Sequence, residues 1–305
     1  MERQRRLQLN PLRLAVAACF LCHGTLALKA ATVYYSEWSA WLQHLFPAPG
    51  YDGARWSLWT AGALDWLAAL CVLLLLRIPR AAIAWTIGWG FATAMSRLYF
   101  LGSLTAPFWG FLVHPVAEML QRVPNWIVPL LLWQEVRGRR PDGRLVGLAV
   151  GSIVLSLGLS VLVDLETGRY PSFMLRIDEP LWFYQACGAL AAVALVLAAV
   201  SWPVKARRFR LAAMGAVALA YALPELFSVF WVNGPHGVVF TALRAGEHFP
   251  AYLCLLLAVR GASGNPVDLD HVGGLHLVDR DARRDDDGVA SLHQPETLQE
   301  LRQIL

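Results

Sequence analysis

The sequence predicts an all-α, polytopic membrane protein, a bundle of about eight transmembrane helices arranged as two tandem four-helix units. Three observations support this: an apolar composition, apolar runs of spanning length, and basic residues confined to alternate connections. Apolar residues make up 57% of the chain and charged residues 16%, whereas charged residues approach a quarter of an ordinary soluble domain. The thirteen tryptophans agree with this class, because amphipathic rings collect where lipid meets water.

Apolar runs of spanning length recur eight times along the chain. About 20 residues of helix cross the hydrocarbon core, and only a helix satisfies all its backbone groups within its own segment. The runs also lack the alternation of a membrane β-strand. We therefore expect helices, the fourth broken up by Pro115, Pro124 and Pro129. The approximate limits of the runs are 11–32, 57–77, 80–101, 111–134, 145–163, 181–201, 211–232 and 237–259.

The basic residues test this topology independently. They lie before the first run, after the last, and in every second connection, as the positive-inside rule requires of an eight-span protein with both termini cytoplasmic. The other connections hold few, namely Arg55, Arg169 and Arg176. We expect a multi-pass protein of the cell inner membrane. The clustered residues are Arg3, Arg5, Arg6, Arg77, Arg80, Arg137, Arg139, Arg140, Arg144, Lys205, Arg207, Arg208, Arg210 and Arg260.

Two pairs of similar segments indicate an internal duplication. The segments 57–76 and 180–199 share an LW opening, a later GAL and an aliphatic finish, and "QRVPNWIVPLLL" resembles "EHFPAYLCLLL". We interpret 1–140 and 141–260 as two four-helix membrane units with the same orientation. The alternative is that leucine-rich spans resemble each other by composition alone. Residues 261–305 are highly charged, so we expect a polar, disordered cytoplasmic tail.

A C-x-x-C-H motif, the spacing of c-type haem attachment, lies in the first run at Cys19, Cys22 and His23. We interpret it as accidental, because haem attachment needs an extended, translocated segment rather than the middle of a membrane helix. We expect neither a cofactor nor a metal site, since the tail histidines lack zinc-ligand spacing. The basic connections are too short to read nucleic acid, and their charge is explained by orientation.

Polar side chains within the spans indicate a binding site. A charge at mid-bilayer costs roughly 3 kcal/mol, so it persists only when it faces protein or water. Arg244 and Glu247 share a helix face by spacing, and we expect Asp65 and Glu118 to be the partners of Arg97. The candidate ligand-binding residues are His23, Asp65, Arg97, Glu118, Arg122, Asn125, Glu225, Arg244 and Glu247.

Given the topology, these residues form a polar cavity in the outer half of the membrane, with His23 and Asp65 nearer its middle. The alternative is that the ions pair with each other and only fix the packing of the bundle. A second indication is Pro224 before Glu225, since a proline frees a carbonyl next to an acid where transporters bend helices. Bent packing helices have the same pattern without any function.

The first half contains "HG" in span 1 with Lys29 further on, Asp65 in span 2, "WGFATAMSR" in span 3 and "E…QRVPNW.VPLLL" in span 4. Over residues 12–135 this pattern resembles the DoxX-like family of bacterial integral membrane proteins, which are four-helix bundles. Residues 145–259 would be a diverged second copy, although "YALPE" does not match "TAMSR". The resemblance implies roles for His23, Gly24, Arg97, Glu118, Arg122 and Asn125.

Relatives in this family often have an acid just before the last arginine, where this chain has Gln121. Some members resemble subunits of quinone-linked sulfur oxidation or of redox-stress complexes. We expect a protein that binds a small molecule in the cavity or serves as an accessory membrane subunit. The alternatives are a membrane subunit of a quinone-linked oxidoreductase, working with a redox partner subunit, and a secondary transporter of a small polar or anionic solute. Whether the protein is an enzyme stays open.

Overall fold

The computed structural model describes residues 10–32, 50–100, 108–139, 141–167, 181–201, 206–228 and 234–262. All regular secondary structure in these ranges is α-helical. Residues 263–305 of the predicted tail, and the connection that holds Arg169 and Arg176, lie outside the described residues. The helices are α1 (Pro11–Thr32), α2 (Gly50–Leu74), α3 (Arg80–Phe100), α4 (Phe108–Gln121), α5 (Pro124–Val136), α6 (Gly143–Thr167), α7 (Leu181–Ser201), α8 (Arg207–Ser228), α9 (Gly234–Glu247) and α10 (Phe249–Ala262).

Within this part of the chain, four helices are long and apolar enough to cross a membrane. They are α1, α2, α6 and α7, and each holds an 18-residue window with few charged residues. Large apolar side chains point outward from the bundle, among them Trp56, Leu67 and Val196. Such a surface is unfavourable in water and suited to lipid. The prediction of an all-helical, multi-pass membrane protein is therefore confirmed.

The fourth and the eighth apolar runs each form two helices rather than one. α4 ends at Gln121 and α5 begins at Pro124, while α9 ends at Glu247 and α10 begins at Phe249. Pro124 and Pro250 lie in the first turn of the second helix, where a missing N–H group costs no hydrogen bond. The interruption of the fourth run is confirmed, whereas the interruption of the eighth run was not assigned to any residue from the sequence.

The helix boundaries repeat along the chain. α4 ends at Gln121 and α9 ends at Glu247, 126 positions later. The GAL triplets at 62–64 and 188–190 have the same separation. α3 begins at Arg80 and α8 at Arg207, within one residue of that spacing. The sequence similarity thus extends to the ends of α4 and α9 and to the starts of α3 and α8, whereas α1 and α6 begin 132 residues apart.

The first helix of each half packs against the broken helix of the other half. α1 contacts α9 and α10 as well as α2, and α6 contacts α4 and α5 as well as α7. On one side Cys22 lies so close to Gly246 that a Cβ atom there would approach its Sγ to 2.1 Å. On the other side the Ser156 hydroxyl donates a hydrogen bond of 2.9 Å to the Ala117 carbonyl. These reciprocal contacts bring the two helix breaks to the interface between the halves.

The larger of the two hydrophobic clusters among the described residues contains residues from both halves of the chain. Its buried members include Phe20 of α1, Ile127 of α5, Ile153 of α6 and Leu257 of α10. Glycines let helices approach closely at its edge: a Cβ atom on Gly24 would lie 2.8 Å from the Gly62 carbonyl oxygen. The close α1–α2 packing explains why His23 is followed by glycine.

Candidate functional site

The two helix breaks meet at a buried ion pair. Arg122, just after α4, lies with Nη2 3.6 Å from Oε2 of Glu247, the last residue of α9. Both residues are only 2% exposed. The same Glu247 oxygen lies 3.6 Å from Nη1 of Arg244. Arg244 and Glu247 lie on one helix face, as their spacing predicts, and Glu247 is shared between two guanidinium groups from different breaks.

The break at the end of α9 lies level with the middle of α1. The Cys19 thiol donates a hydrogen bond of 3.3 Å to the Glu247 carbonyl, and Cys22 touches Gly246. Both cysteines lie near the midpoint of the 22-residue helix α1. The Glu247 carbonyl is one of those that a helix end leaves without an intrahelical partner, so the thiol satisfies it. Both cysteines of the C-x-x-C motif therefore face the end of α9.

Three more predicted residues surround this pair. Arg97 is buried near the end of α3 and interacts electrostatically with Glu118 and Glu247, and with Arg122 and Arg244. Glu118 and Asn125, on either side of the first break, are also buried. Among the described residues, no group hydrogen-bonds to Oε2 of Glu118 or Oδ1 of Asn125.

Such buried oxygens are costly, at about 1–3 kcal/mol each, unless water or a ligand satisfies them. The Glu118 and Asn125 oxygens therefore mark positions where a hydrogen-bond donor would be stabilised. Arg97, Arg122 and Arg244 would supply the positive charge beside them. Together these groups suit a small anion that also has a hydroxyl or amino donor.

Asp65 forms a separate cluster. Its carboxylate is fully buried. Oδ2 lies 2.7 Å from Nδ1 of His23, and Oδ1 accepts a hydrogen bond of 2.7 Å from the Trp85 indole. Trp85 and Arg97 lie on the same helix, roughly 18 Å apart along its axis at 1.5 Å per residue. Of the two expected partners of Arg97, Glu118 interacts with it electrostatically. Asp65 instead bonds His23 and Trp85, at a different depth in the bundle.

The second break holds a hydrogen-bonded histidine. Nδ1 of His248, between α9 and α10, lies 2.7 Å from the Tyr221 hydroxyl of α8. The Tyr221 ring also packs edge-on against Tyr252, with centroids 5.8 Å apart. The predicted site included neither Tyr221 nor Trp85. A buried tyrosine hydroxyl or indole N–H requires a partner, and this requirement was the available signal.

Glu225, the remaining predicted site residue, lies on α8 next to Pro224, but its side chain is outside the described residues. In the part of the chain that the structure describes, no three of the His, Cys, Asp and Glu side chains are arranged to hold a metal ion. Two cavities lined by described residues lie elsewhere, one beside Asp52 and Trp59, the other beside Arg80 and Arg137.

Comparisons of the chain with protein-family models, with curated proteins and with solved structures found no match. The resemblance of residues 12–135 to the DoxX-like family stays a prediction.

Proposed function

We propose that the chain is an eight-span protein of the inner membrane, made of two four-helix units in tandem with both termini in the cytoplasm. The 126-residue offset between α4 and α9 supports the duplication. The reciprocal packing of α1 on α9 and of α6 on α4 supports it as well. A helix broken near its middle still crosses the bilayer when its two pieces stack, so that α4–α5 and α9–α10 each count as one span. The alternating basic connections give the orientation.

The proposed function is binding of a small organic anion where the two broken helices cross, in a polar cavity that extends from this level to the outer face. One observation favours it most: the buried Arg122–Glu247 pair joins two helix breaks at the interface between the halves. Discontinuous helices at a repeat interface are the usual way in which membrane proteins place substrate sites near the midplane. Arg97 and Arg244 add positive charge, and Glu118 offers an acceptor.

Mass spectrometry of small molecules that copurify from native membranes tests this proposal. The wild-type protein should retain an anionic compound that an Arg122→Gln variant loses, because an uncharged amide cannot hold the anion in a low-dielectric site. The matched control is Arg144→Gln, which removes an exposed arginine between two predicted spans, and this variant should retain the compound. If neither wild type nor control holds an anion, the charges only fix the packing of the bundle.

Secondary transport is the second candidate function. The specific observation in its favour is that both halves contribute a broken helix to one crossing point and pack reciprocally, an arrangement in which relative rocking exposes a midplane site alternately. Proteoliposomes with an imposed pH gradient should then accumulate the copurifying anion. Uptake should be lost in Asp65→Asn or Glu225→Gln. Binding without uptake would favour a receptor or accessory role. An absorbance scan for haem or flavin tests the quinone-linked alternative.

A further inference from the structure

A second polar cavity lies at the other end of the bundle, away from the helix breaks. Its volume is about 450 Å³. It opens between the start of α3 and the end of α5, on the side that the basic connections place in the cytoplasm. The lining residues are Ile78, Arg80, Ile83, Trp133, Val136, Arg137 and Arg139.

One wall of this cavity is basic and fixed in shape. α5 ends at Val136, and Gly138, two residues later, has a φ of +71°. The Arg139 N–H donates to the Gln134 carbonyl at 2.9 Å and the Gly138 N–H to the Glu135 carbonyl at 2.8 Å, which is the glycine-terminated turn that commonly ends a helix. The turn holds Arg137 and Arg139 on either side of the glycine. The guanidinium of Arg137 lies over the Trp133 ring, 4.3 Å from its centroid, a favourable cation–π contact.

A helix N-terminus faces the same space. α3 begins at Arg80 and is 21 residues long. The first N–H groups of a helix have no intrahelical partner and favour negative charge, so the start of α3 adds to the positive potential of the three arginines. Two carboxylates close in sequence to these arginines accept hydrogen bonds. The Glu135 carboxylate accepts one from the Asn10 side-chain amide, and the Asp142 carboxylate accepts one from the Arg144 backbone N–H.

The other wall is apolar. Ile78 and Ile83 are buried, and Val136 is 46% exposed. A basic rim beside an apolar wall, at the level where a spanning helix leaves the membrane, matches a phospholipid, whose phosphate lies next to the start of its acyl chains. Basic pockets between membrane helices on the cytoplasmic side bind anionic headgroups for this reason. An orientation signal alone would need the charge of the arginines but not the apolar wall or the stacked tryptophan.

We propose that this cavity binds the headgroup of an anionic phospholipid, with its phosphate held by Arg80, Arg137 and Arg139 and its glycerol and upper acyl chains against Ile83 and Val136. The site is independent of the anion site at the helix breaks. It would anchor the ends of α3 and α5, which pack on each other, to the lipid surface.

Native mass spectrometry of the full chain, titrated with phosphatidylglycerol or phosphatidylcholine, tests the proposal. We expect the wild-type protein to bind phosphatidylglycerol at least tenfold more tightly than phosphatidylcholine. Arg137→Gln/Arg139→Gln should weaken this binding roughly 25-fold, since each arginine near the surface contributes about a factor of five. Arg207→Gln/Arg208→Gln removes the same charge from another basic connection and should leave the tight site intact.

Three results would overturn the assignment. Equal weakening in both double variants would show a general surface charge effect, and equal binding of both lipids would show no headgroup recognition. Displacement by inorganic phosphate at the lipid's own concentration would mean that the cavity binds a free anion. Gel filtration verifies folding. If the double variant aggregates, the single exposed variant Arg139→Gln replaces it, and the expected weakening is then about fivefold.

Discussion

The Asp65 carboxylate links three helices, because it bonds His23 of α1 and Trp85 of α3 from its position on α2. We expect Asp65→Asn to lower the free energy of unfolding by about 2 kcal/mol, the range for a hydrogen bond to a charged group. Asp52→Asn, an exposed position on the same helix, should change it by less than about 0.5 kcal/mol. Thermal unfolding in detergent measures both. Equal shifts would contradict a structural role for the buried carboxylate.

The Arg122–Glu247 pair can be tested by a double-mutant cycle. Glu247→Gln should destabilise by about 3–5 kcal/mol, because it leaves the buried Arg122 guanidinium without its carboxylate. Arg122→Gln should cost less, because Arg244 still pairs with Glu247. The double variant should cost less than their sum, with a coupling of about 0.5–3 kcal/mol. Combining Arg122→Gln with the distant Asp52→Asn should be additive. A coupling near zero in the first cycle would mean that the two side chains do not interact in solution.

At this scale the sequence predicts contacts within a helix but not contacts between helices. Arg244 and Glu247 are three residues apart, so helical geometry alone brings them together. The contact of Glu247 with Arg122 and that of Asp65 with Trp85 depend on which helices are neighbours. Spacing along the chain does not indicate which helices are neighbours. The expectation that Asp65 pairs with Arg97 used similar depth in the membrane instead, and depth alone does not identify a partner.

Among the elements, the broken helices were only partly predictable. Of the three prolines in the fourth run, Pro124 alone starts a new helix, while Pro115 and Pro129 lie inside α4 and α5. A proline deletes one backbone hydrogen bond, and packing decides whether the helix continues. In the eighth run the break before Pro250 was missed, although "EHFP" repeats the "QRVP" of the first break. Applying the repeat to the helix ends would have found it.

The contact between α1 and α9 depends on a glycine. We expect Gly246→Ala to destabilise the protein by about 1–3 kcal/mol, the cost of overpacking, since its methyl group would overlap Cys22. Gly215→Ala on α8, where no neighbouring atom lies within 4 Å, should be neutral or stabilising by up to about 1 kcal/mol. Thermal unfolding measures the difference. Adding Cys22→Ala should restore part of the stability lost in Gly246→Ala, and no rescue would contradict this packing.

For the molecule as a whole, the proposed topology predicts the location of reporters fused to truncated chains. Alkaline phosphatase is active only outside the cytoplasm and green fluorescent protein mainly inside it. Fusions after residues 141 and 305 should fluoresce, whereas fusions after residues 175 and 233 should have phosphatase activity. The expectation follows from the alternating basic connections. Phosphatase activity after residue 141 would contradict the first four spans.

The membrane class follows from composition, and the proposed orientation from charge, because the bilayer constrains every span separately. The packing of the two halves of the chain against each other does not follow from composition or charge, since leucines that face lipid and leucines that face another helix are equally apolar. The packing of α1 on α9 and of α6 on α4 depends on shape, on small residues such as Gly246 and Ser156. These residues are conspicuous only once the neighbouring helix is known.

On the proposed duplication, the 126-residue offset has a consequence for the ancestry of the chain. It aligns Glu247 with Gln121. Two copies of the first half, assembled as a homodimer, would bury two arginines opposite two neutral glutamines. The present pair is neutral because only one half donates the acid. Duplication followed by exchange of charge between the copies would therefore have made each half obligatory for the other, and a covalent connection guarantees that they occur in equal number.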